Sequence, residues 1–384
     1  MMSKKQLSAL FLCSLVYWTG GNGLLPLLPV YATQLGAAPS VIGSYLSIVF
    51  IGLALGTITS GWLSDRFQRR KIMLIINGVM TVPVVWLMGR VTNIWHLAAL
   101  TAVLWFLGGM GLSLVSILTG LFAEETKRGK YFGILSMAGS LSLLIAGLTT
   151  GPIADRWGFP SLFSSISVFM IFSPLTALLL EDKVAAPVRS QLAKHVVEKT
   201  QLGVGFTLLF LASIISYIVP FLGRLGLSLS MNELGFSATA ISSTAAIGGA
   251  ITLPLPPLIG WLSDRIERKR FLILTYLSGT ASLLILSASG SLWHFWLSSS
   301  LLSVLTYASR GVGSALVTDL VPQASLGRGI ALFNSTTWIG GIIGFAATGF
   351  AIQNLGMFLS FIIGACLPVI AMVLLIPIRK AEKE

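Results

Sequence analysis

Arg224 and Arg310 stand inside apolar runs, in "YIVPFLGRLGLSLS" and "VLTYASRGVGSALV". A guanidinium there costs about 2.5–3.5 kcal/mol on insertion scales, so it faces an aqueous cavity or a partner. The chemistry open to it is recognition of an anionic or zwitterionic group by a planar fork of N–H donors. The competing reading is structural: bonding to free carbonyls beside glycine-rich helices, or, for Arg224, reaching the outer surface. Other polar or aromatic residues at mid-run are Trp18, Asn22, Tyr217, Tyr307, Asn334 and Trp338. Asn22 lies between Gly21 and Gly23, and such breaks often line a site; for the aromatics, packing is the rival role. The chemistry of catalysis is missing from these runs. They contain no His/Asp/Glu or Ser/His cluster, no phosphate loop and no metal-ligand spacing, and Cys13 and Cys366 lie far apart in sequence. An enzyme, a cofactor and direct use of ATP are therefore not expected. None of the 13 acids sits deep in a run, where burial would tune a carboxylate for proton exchange. Asp155, Glu233 and Asp319 come closest.

The elements that must position these residues follow from composition. The chain has 384 residues, 55% hydrophobic and only 10% charged, with apolar runs of helical membrane-crossing length along its whole extent. Twelve spans are expected, near 7–31, 40–61, 72–89, 95–121, 131–153, 160–180, 203–230, 239–260, 271–290, 293–319, 328–352 and 357–378. The first is too long for the apolar region of a signal peptide. All 25 Lys and Arg except Arg90, Arg156, Arg224 and Arg310 then fall on one side, which the positive-inside rule makes cytoplasmic, both termini included. The net charge of +12 is thus a topology signal with anionic-lipid contact second, and no nucleic-acid partner is expected. Trp95, His96, Trp293 and His294 read as an outer aromatic belt.

The chain also repeats itself. "GWLSDRFQRRK" from Gly61 returns as "GWLSDRIERKR" from Gly260, and "QLGAAPSVIGS" from Gln34 as "ELGFSATAISS" from Glu233, both 199 positions later. "TGPIADRWGFPSLF" from Thr150 matches "TGFAIQNLGMFLSF" from Thr348 at an offset of 198. Such spacing implies two homologous six-helix bundles in one orientation, 1–182 and 203–384, joined by a cytoplasmic linker over 183–202.

On these features the whole chain resembles the major facilitator superfamily, whose cytoplasmic loop motif is roughly G-x-x-x-D-R-x-G-R-R. Gly61, Asp65, Arg66, Arg69 and Arg70 match it, and Gly260, Asp264, Arg265, Arg268 and Lys269 match it again. Gln68 and Glu267 replace the family glycine before the basic pair, so the loop turn is open to change. The motif reads as a cytoplasmic gate. Gly61 would let helices approach, and Asp65 would cap the positive N-terminus of span 11 near Arg328, with Asp264 facing span 5 near Lys130. Arg66, Arg69 and Arg70 would pair with Glu124, Glu125 or Asp319. Otherwise these charges only mark topology and bind lipid headgroups.

The resemblance implies an all-α transporter of a small-molecule substrate by alternating access, in the cell membrane, as a monomer, with protons as a candidate coupling ion. Efflux of amphipathic compounds is the leading reading. Proton- or gradient-driven transport of an organic anion or sugar-like metabolite is the alternative, which Arg224 and Arg310 favour. Two departures weaken drug:proton antiport: "WFLGGMG" puts Trp105 where many efflux members carry Arg, and Gly151-Pro152 comes one turn late in span 5. A non-transporting membrane sensor would append a soluble domain, and no segment is long enough for one.

Overall fold

The computed structural model describes residues 3–123, 128–180, 202–255, 258–259, 262, 265–322 and 325–378, and every regular element among them is a helix. Glu124, Gly260, Asp264 and the expected linker up to residue 201 lie outside the described residues. Helix α1 (Lys4–Leu24) starts at a capping box, in which Ser3 Oγ accepts from the Gln6 N–H and Gln6 Oε1 from the Ser3 N–H. The sequence predicts one span over 7–31. Instead the chain breaks at residues 25–27 and α2 (Leu28–Gln34) leaves at 43°. Pro26 and Pro29 explain the break, since neither has an N–H for the helix ladder.

Helices α3 (Pro39–Phe67), α4 (Arg70–Met88) and α5 (Ile94–Phe122) follow, then α6 (Arg128–Met170) and α7 (Phe172–Leu178). The second half supplies α8 (Val204–Glu233), α9 (Ala238–Thr252), α10 (Arg268–Ser287), α11 (Leu292–Leu320) and α12 (Leu326–Leu375). Both α6 and α12 kink at a single residue, Gly158 and Gly356, each at φ 76° and ψ 171°. That backbone is open essentially to glycine alone, and the two positions are 198 apart, the offset of the surrounding repeat. Among the described residues, seven helices are long and apolar enough to cross a membrane, and the bent α1–α2 pair is an eighth candidate. The expected fifth and sixth spans meet at the Gly158 kink, and the expected eleventh and twelfth at the Gly356 kink, each pair being two helices joined by one non-helical residue.

Helices of each half pack mainly on one another: α3 on α5, α1 on α6 and α4 on α5 in the first, α12 on α8 and α10 in the second. Two long seams join the halves, α6 against α9 and α3 against α12. In lipid, association rests on close packing and hydrogen bonds because the solvent is as apolar as the side chains. Both seams use that physics. A Cβ on Gly43 or Gly349 would collide with the backbone across the α3–α12 seam, and one on Gly147 or Gly151 would strike α9. Ser47 Oγ donates to Ile342 O at 2.6 Å across the first seam, and Ser242 Oγ to Gly147 O at 2.8 Å across the second. Between the halves, Phe50 of α3 meets Phe221 of α8 and Phe345 of α12 at ring separations of 5.0 and 5.2 Å. All three rings are buried.

Candidate functional site

A cavity of about 470 Å³ lies between the halves, walled mainly by α1, α3, α5, α8, α11 and α12. Trp18, Asn22, Arg224, Tyr307, Arg310, Asn334 and Trp338 all line it. Tyr217 does not. Its side chain is buried inside the second half against Gly340, with its hydroxyl beside Thr337 and Arg310 of the cavity wall. Aromatic character alone cannot distinguish a wall from an interior face, and Tyr217 lies on the face of α8 turned to α12.

Several walls carry little signal in the sequence. Trp105, which departs from the family pattern, lines the cavity with Gly108 and Gly109 of the same stretch. Phe221 lies three residues before Arg224, one helical turn away, so helical spacing carried a signal for it. Phe50 had none, because nothing local separates it from the chain's other phenylalanines.

Asn22 is held in place. Its Nδ2 donates to Ser142 Oγ at 2.7 Å, and that hydroxyl donates to Gly139 O at 2.6 Å. Nearby, Asn77 Nδ2 donates to Tyr17 Oη at 2.8 Å, which fixes a phenol on the cavity wall. Arg224 is half-buried with its guanidinium 6.0 Å from the Phe221 ring centroid, whereas Arg310 is exposed. Their difference in depth allowed them to serve separate ligands; the structure brings both onto one cavity. Neither has an ion-pair partner among the described residues, whose ion pairs are Arg268–Asp319 at 2.7 Å and Arg270–Glu267 at 3.0 Å. A smaller pocket of about 60 Å³ adjoins Arg224 and Asn22, lined also by Ser228, Thr244, Ser299 and Ser303. No group of three or more metal-binding side chains occurs among the described residues.

The loop motif is placed differently from its expectation. A Cβ on Gly61 would meet nothing within 4 Å, so this glycine serves no close approach here. Asp65 is exposed, with no hydrogen-bond or ion-pair partner among the described residues. Arg66 lies over Trp62 of its own helix at 5.5 Å, Arg69 and Arg265 are exposed, and Arg70 Nε donates to Ser64 Oγ at 2.7 Å. Asp319, offered as a partner for the first-half arginines, is instead held by Arg268 Nη1, which also donates to Ala315 O. Lys269 Nζ donates to Ile376 O and Ile378 O at 2.7 and 3.0 Å. These contacts of Arg66, Arg70, Arg268 and Lys269 each stay within one half. Gln68 takes φ 53°, the left-handed backbone that a glycine would adopt more cheaply, while Glu267 is at φ −51°.

The carboxylate cap expected of Asp65 is found at the other end of the molecule. Asp155 Oδ1 accepts from the Ala238 N–H at 2.9 Å and Oδ2 from the Thr239 N–H at 2.8 Å, so an acid of α6 caps the N-terminus of α9 in the opposite half. At the repeat-equivalent site, Gln353 Oε1 of α12 accepts from the Ser40 N–H of α3 at 3.2 Å.

The model of the Major Facilitator Superfamily matches residues 10–231 and again 202–384. The chain is 29% identical over 338 residues to the multidrug resistance protein MdtG of Salmonella paratyphi A, covering 83% of this chain and 78% of that protein, and equally to MdtG of Salmonella choleraesuis. Among solved structures it resembles the nucleoside transporter NupG, with TM-score 0.80 at 14% identity over 99% of this chain and 100% of the other. A POT family transporter in complex with a thioalcohol-conjugated peptide gives TM-score 0.80 at 14% identity over 96% and 94%. The twofold family match, the paired seams and the cavity between the halves lead to one assignment: the chain belongs to the Major Facilitator Superfamily and is a multi-pass membrane transporter of small molecules, not an enzyme.

Proposed function

We propose that the protein exports small amphipathic organic solutes across the cell membrane by alternating exposure of the central cavity. One observation carries this: a cavity of about 470 Å³ between the halves with tryptophan, tyrosine and phenylalanine on its walls. At the loop end Gly61 and Asp65 engage nothing across the halves. The positive-inside bias supports a cytoplasmic loop end with both termini there, which makes this the inward-open state. The 29% identity to a multidrug resistance protein supports export as the direction.

Twelve spans in two units, 1–182 and 203–384 with a linker at 183–202, fit this reading. Each of Gly129–Leu178 and Leu326–Leu375 has 50 residues. At 1.5 Å per residue that is about 75 Å, more than twice a hydrocarbon core, so each crosses twice and turns at its kinked glycine. In the outward-open state the loops close. Asp65 then caps α12, Asp264 caps α6, and Gly61, Gly260, Arg66, Arg69, Arg70, Arg265, Arg268, Lys269, Glu124 and Asp319 pack or pair around them. The protein works as a monomer amid lipid, with protons as the candidate coupling ion.

The test is transport by purified protein in proteoliposomes, using fluorescent amphipathic dyes with an imposed proton gradient. Dye should move from the loop side to the seam side. Movement only in the reverse direction overturns export, and no movement of any dye under either gradient overturns the reading as a whole.

A further inference from the structure

The cavity carries a formal charge of two that no described residue balances. Arg224 and Arg310 both line it, neither is ion-paired, and none of its lining residues is acidic. Guanidiniums on a largely apolar wall are poorly compensated by solvent, so an anion entering the cavity gains more there than at an exposed surface. A cationic cargo meets the opposite: two like charges and no carboxylate.

The two arginines sit at different depths. Arg224 is 20 residues into α8 from the loop end, and Arg310 is 10 residues before the end of α11 at that same side. At 1.5 Å rise per residue, the backbone of Arg310 lies nearer the mouth by roughly 15 Å, while the two guanidiniums are close enough to repel each other. Exposure agrees, with Arg310 exposed and Arg224 half-buried.

Beside Arg224 the small pocket gives the deep position a defined chemistry. Most of its hydroxyl hydrogens are already used: Ser228 Oγ donates to Pro26 O, Ser299 Oγ to Thr244 O and Thr244 Oγ1 to Ile241 O. Ser303 Oγ makes no hydrogen bond among the described residues and remains a donor into the pocket. Arg224 and Ser303 thus form the donor pair, while Trp18, Trp105, Phe221 and Trp338 line the apolar chamber beyond.

We propose that the cargo is an amphipathic organic anion whose charged group is held at Arg224 and Ser303, with its apolar body among the aromatic walls, and that Arg310 draws it in at the mouth. This rests on the transport reading and deepens it to a substrate class. The two arginines have separable roles: charge at an exposed mouth acts on association rate, and a half-buried fork acts on residence.

The test uses three probes that share one ring system: naphthalene-2-sulfonate, naphthalene-2-sulfonamide and a naphthylmethyl trimethylammonium. Binding to purified protein is followed by quenching of tryptophan fluorescence, at equilibrium and by stopped flow. The sulfonate should bind at least tenfold more tightly than the other two. Arg224→Gln should remove at least tenfold of sulfonate affinity, mostly through faster dissociation, and change sulfonamide binding less than twofold. Arg224→Lys should recover part of the loss, because a point charge lacks the planar fork. Ser303→Ala should cost a few-fold. Arg310→Gln should slow sulfonate association several-fold and flatten its salt dependence.

Folding of each variant is checked by its melting temperature without ligand, and sulfonamide binding serves as an internal control. Equal affinity for the three probes, preference for the cation, no binding of the sulfonate, or sulfonate affinity untouched by Arg224→Gln in folded protein overturns the anion assignment. Transport of neutral or cationic dyes in proteoliposomes would leave the transporter reading standing in each of those cases, so the two failures are distinguishable.

Discussion

The α6–α9 and α3–α12 seams are two solutions to the same task, related by the internal repeat. Both bring backbones together at glycine, and both add a hydroxyl-to-carbonyl bond across the halves. They differ at the helix N-termini. Asp155 offers a charged carboxylate to two N–H groups of α9, whereas Gln353 offers a neutral amide oxygen to one N–H of α3. The partner helix explains part of the difference. Thr239 and Ala238 both have an N–H, but their counterparts are Ser40 and Pro39, and proline has none. A carboxylate over α3 would find one donor where α9 gives two. The two seams therefore pack alike and differ in electrostatics; on the proposed inward-open reading, Asp155 is the charged latch of the sealed end, and Asp65, with no partner among the described residues, is its counterpart at the unsealed end.

Packing at the seams should carry the largest effect. Gly349→Leu and Gly147→Leu each force a side chain into opposing backbone, an overpacking cost of about 1–3 kcal/mol or more. Each should shift the two-state balance away from this conformation by roughly 5- to 150-fold. The readout is the distance between spin labels on cysteines at Gln68 and Glu267, placed in a Cys366→Ser background, which should shorten as the loop end closes. Equal shifts from the two variants support equivalent packing; a large shift from only one would show that a single seam holds the sealed end.

The two loop copies invite a comparison at the opposite end. Gln68→Gly relieves a left-handed side-chain clash of about 1–2 kcal/mol and should raise the melting temperature. Glu267→Gly, at a negative φ, should leave it level or lower it. A rise in both variants would mean that the left-handed turn is not the cause.

Charge comes next. Asp155→Asn should loosen the sealed end by about 0.3–1 kcal/mol, a few-fold in population, since Asp155 is exposed and its field is screened. Asp65→Asn should move the same label distance the other way, because its cap belongs to the opposite state. Shifts of the same sign would break the assignment of the two acids to opposite ends.

Smallest is the neutral seam. Gln353→Ala should change the balance by about twofold or less, the scale of one exposed hydrogen bond. Raising salt from 50 to 500 mM should reduce the gap between wild type and Asp155→Asn while leaving that between wild type and Gln353→Ala unchanged. A salt-sensitive Gln353 variant would mean that its seam has a charge contribution that the structure does not contain.

Much of this protein is legible in its sequence. Apolar run length and scarce charge determined a helical membrane protein, and the Lys/Arg bias supported an orientation, because a bilayer constrains segment length and loop charge directly. The 198–199 offset identified a duplicated architecture, and intramembrane cost singled out Arg224 and Arg310 one residue at a time. Four features needed tertiary structure, since each depends on residues distant in sequence. Which wall a mid-helix aromatic faces separated Trp18 and Trp338 from Tyr217, and that is set by rotation about a helix axis against its neighbours. The pairing of Asp319 with Arg268 depended on which helix ends meet. The convergence of both arginines on one cavity depended on how the halves lean together. The cap that Asp155 places on α9 depended on how α6 meets the opposite half, because a carboxylate stabilises only the helix terminus it touches.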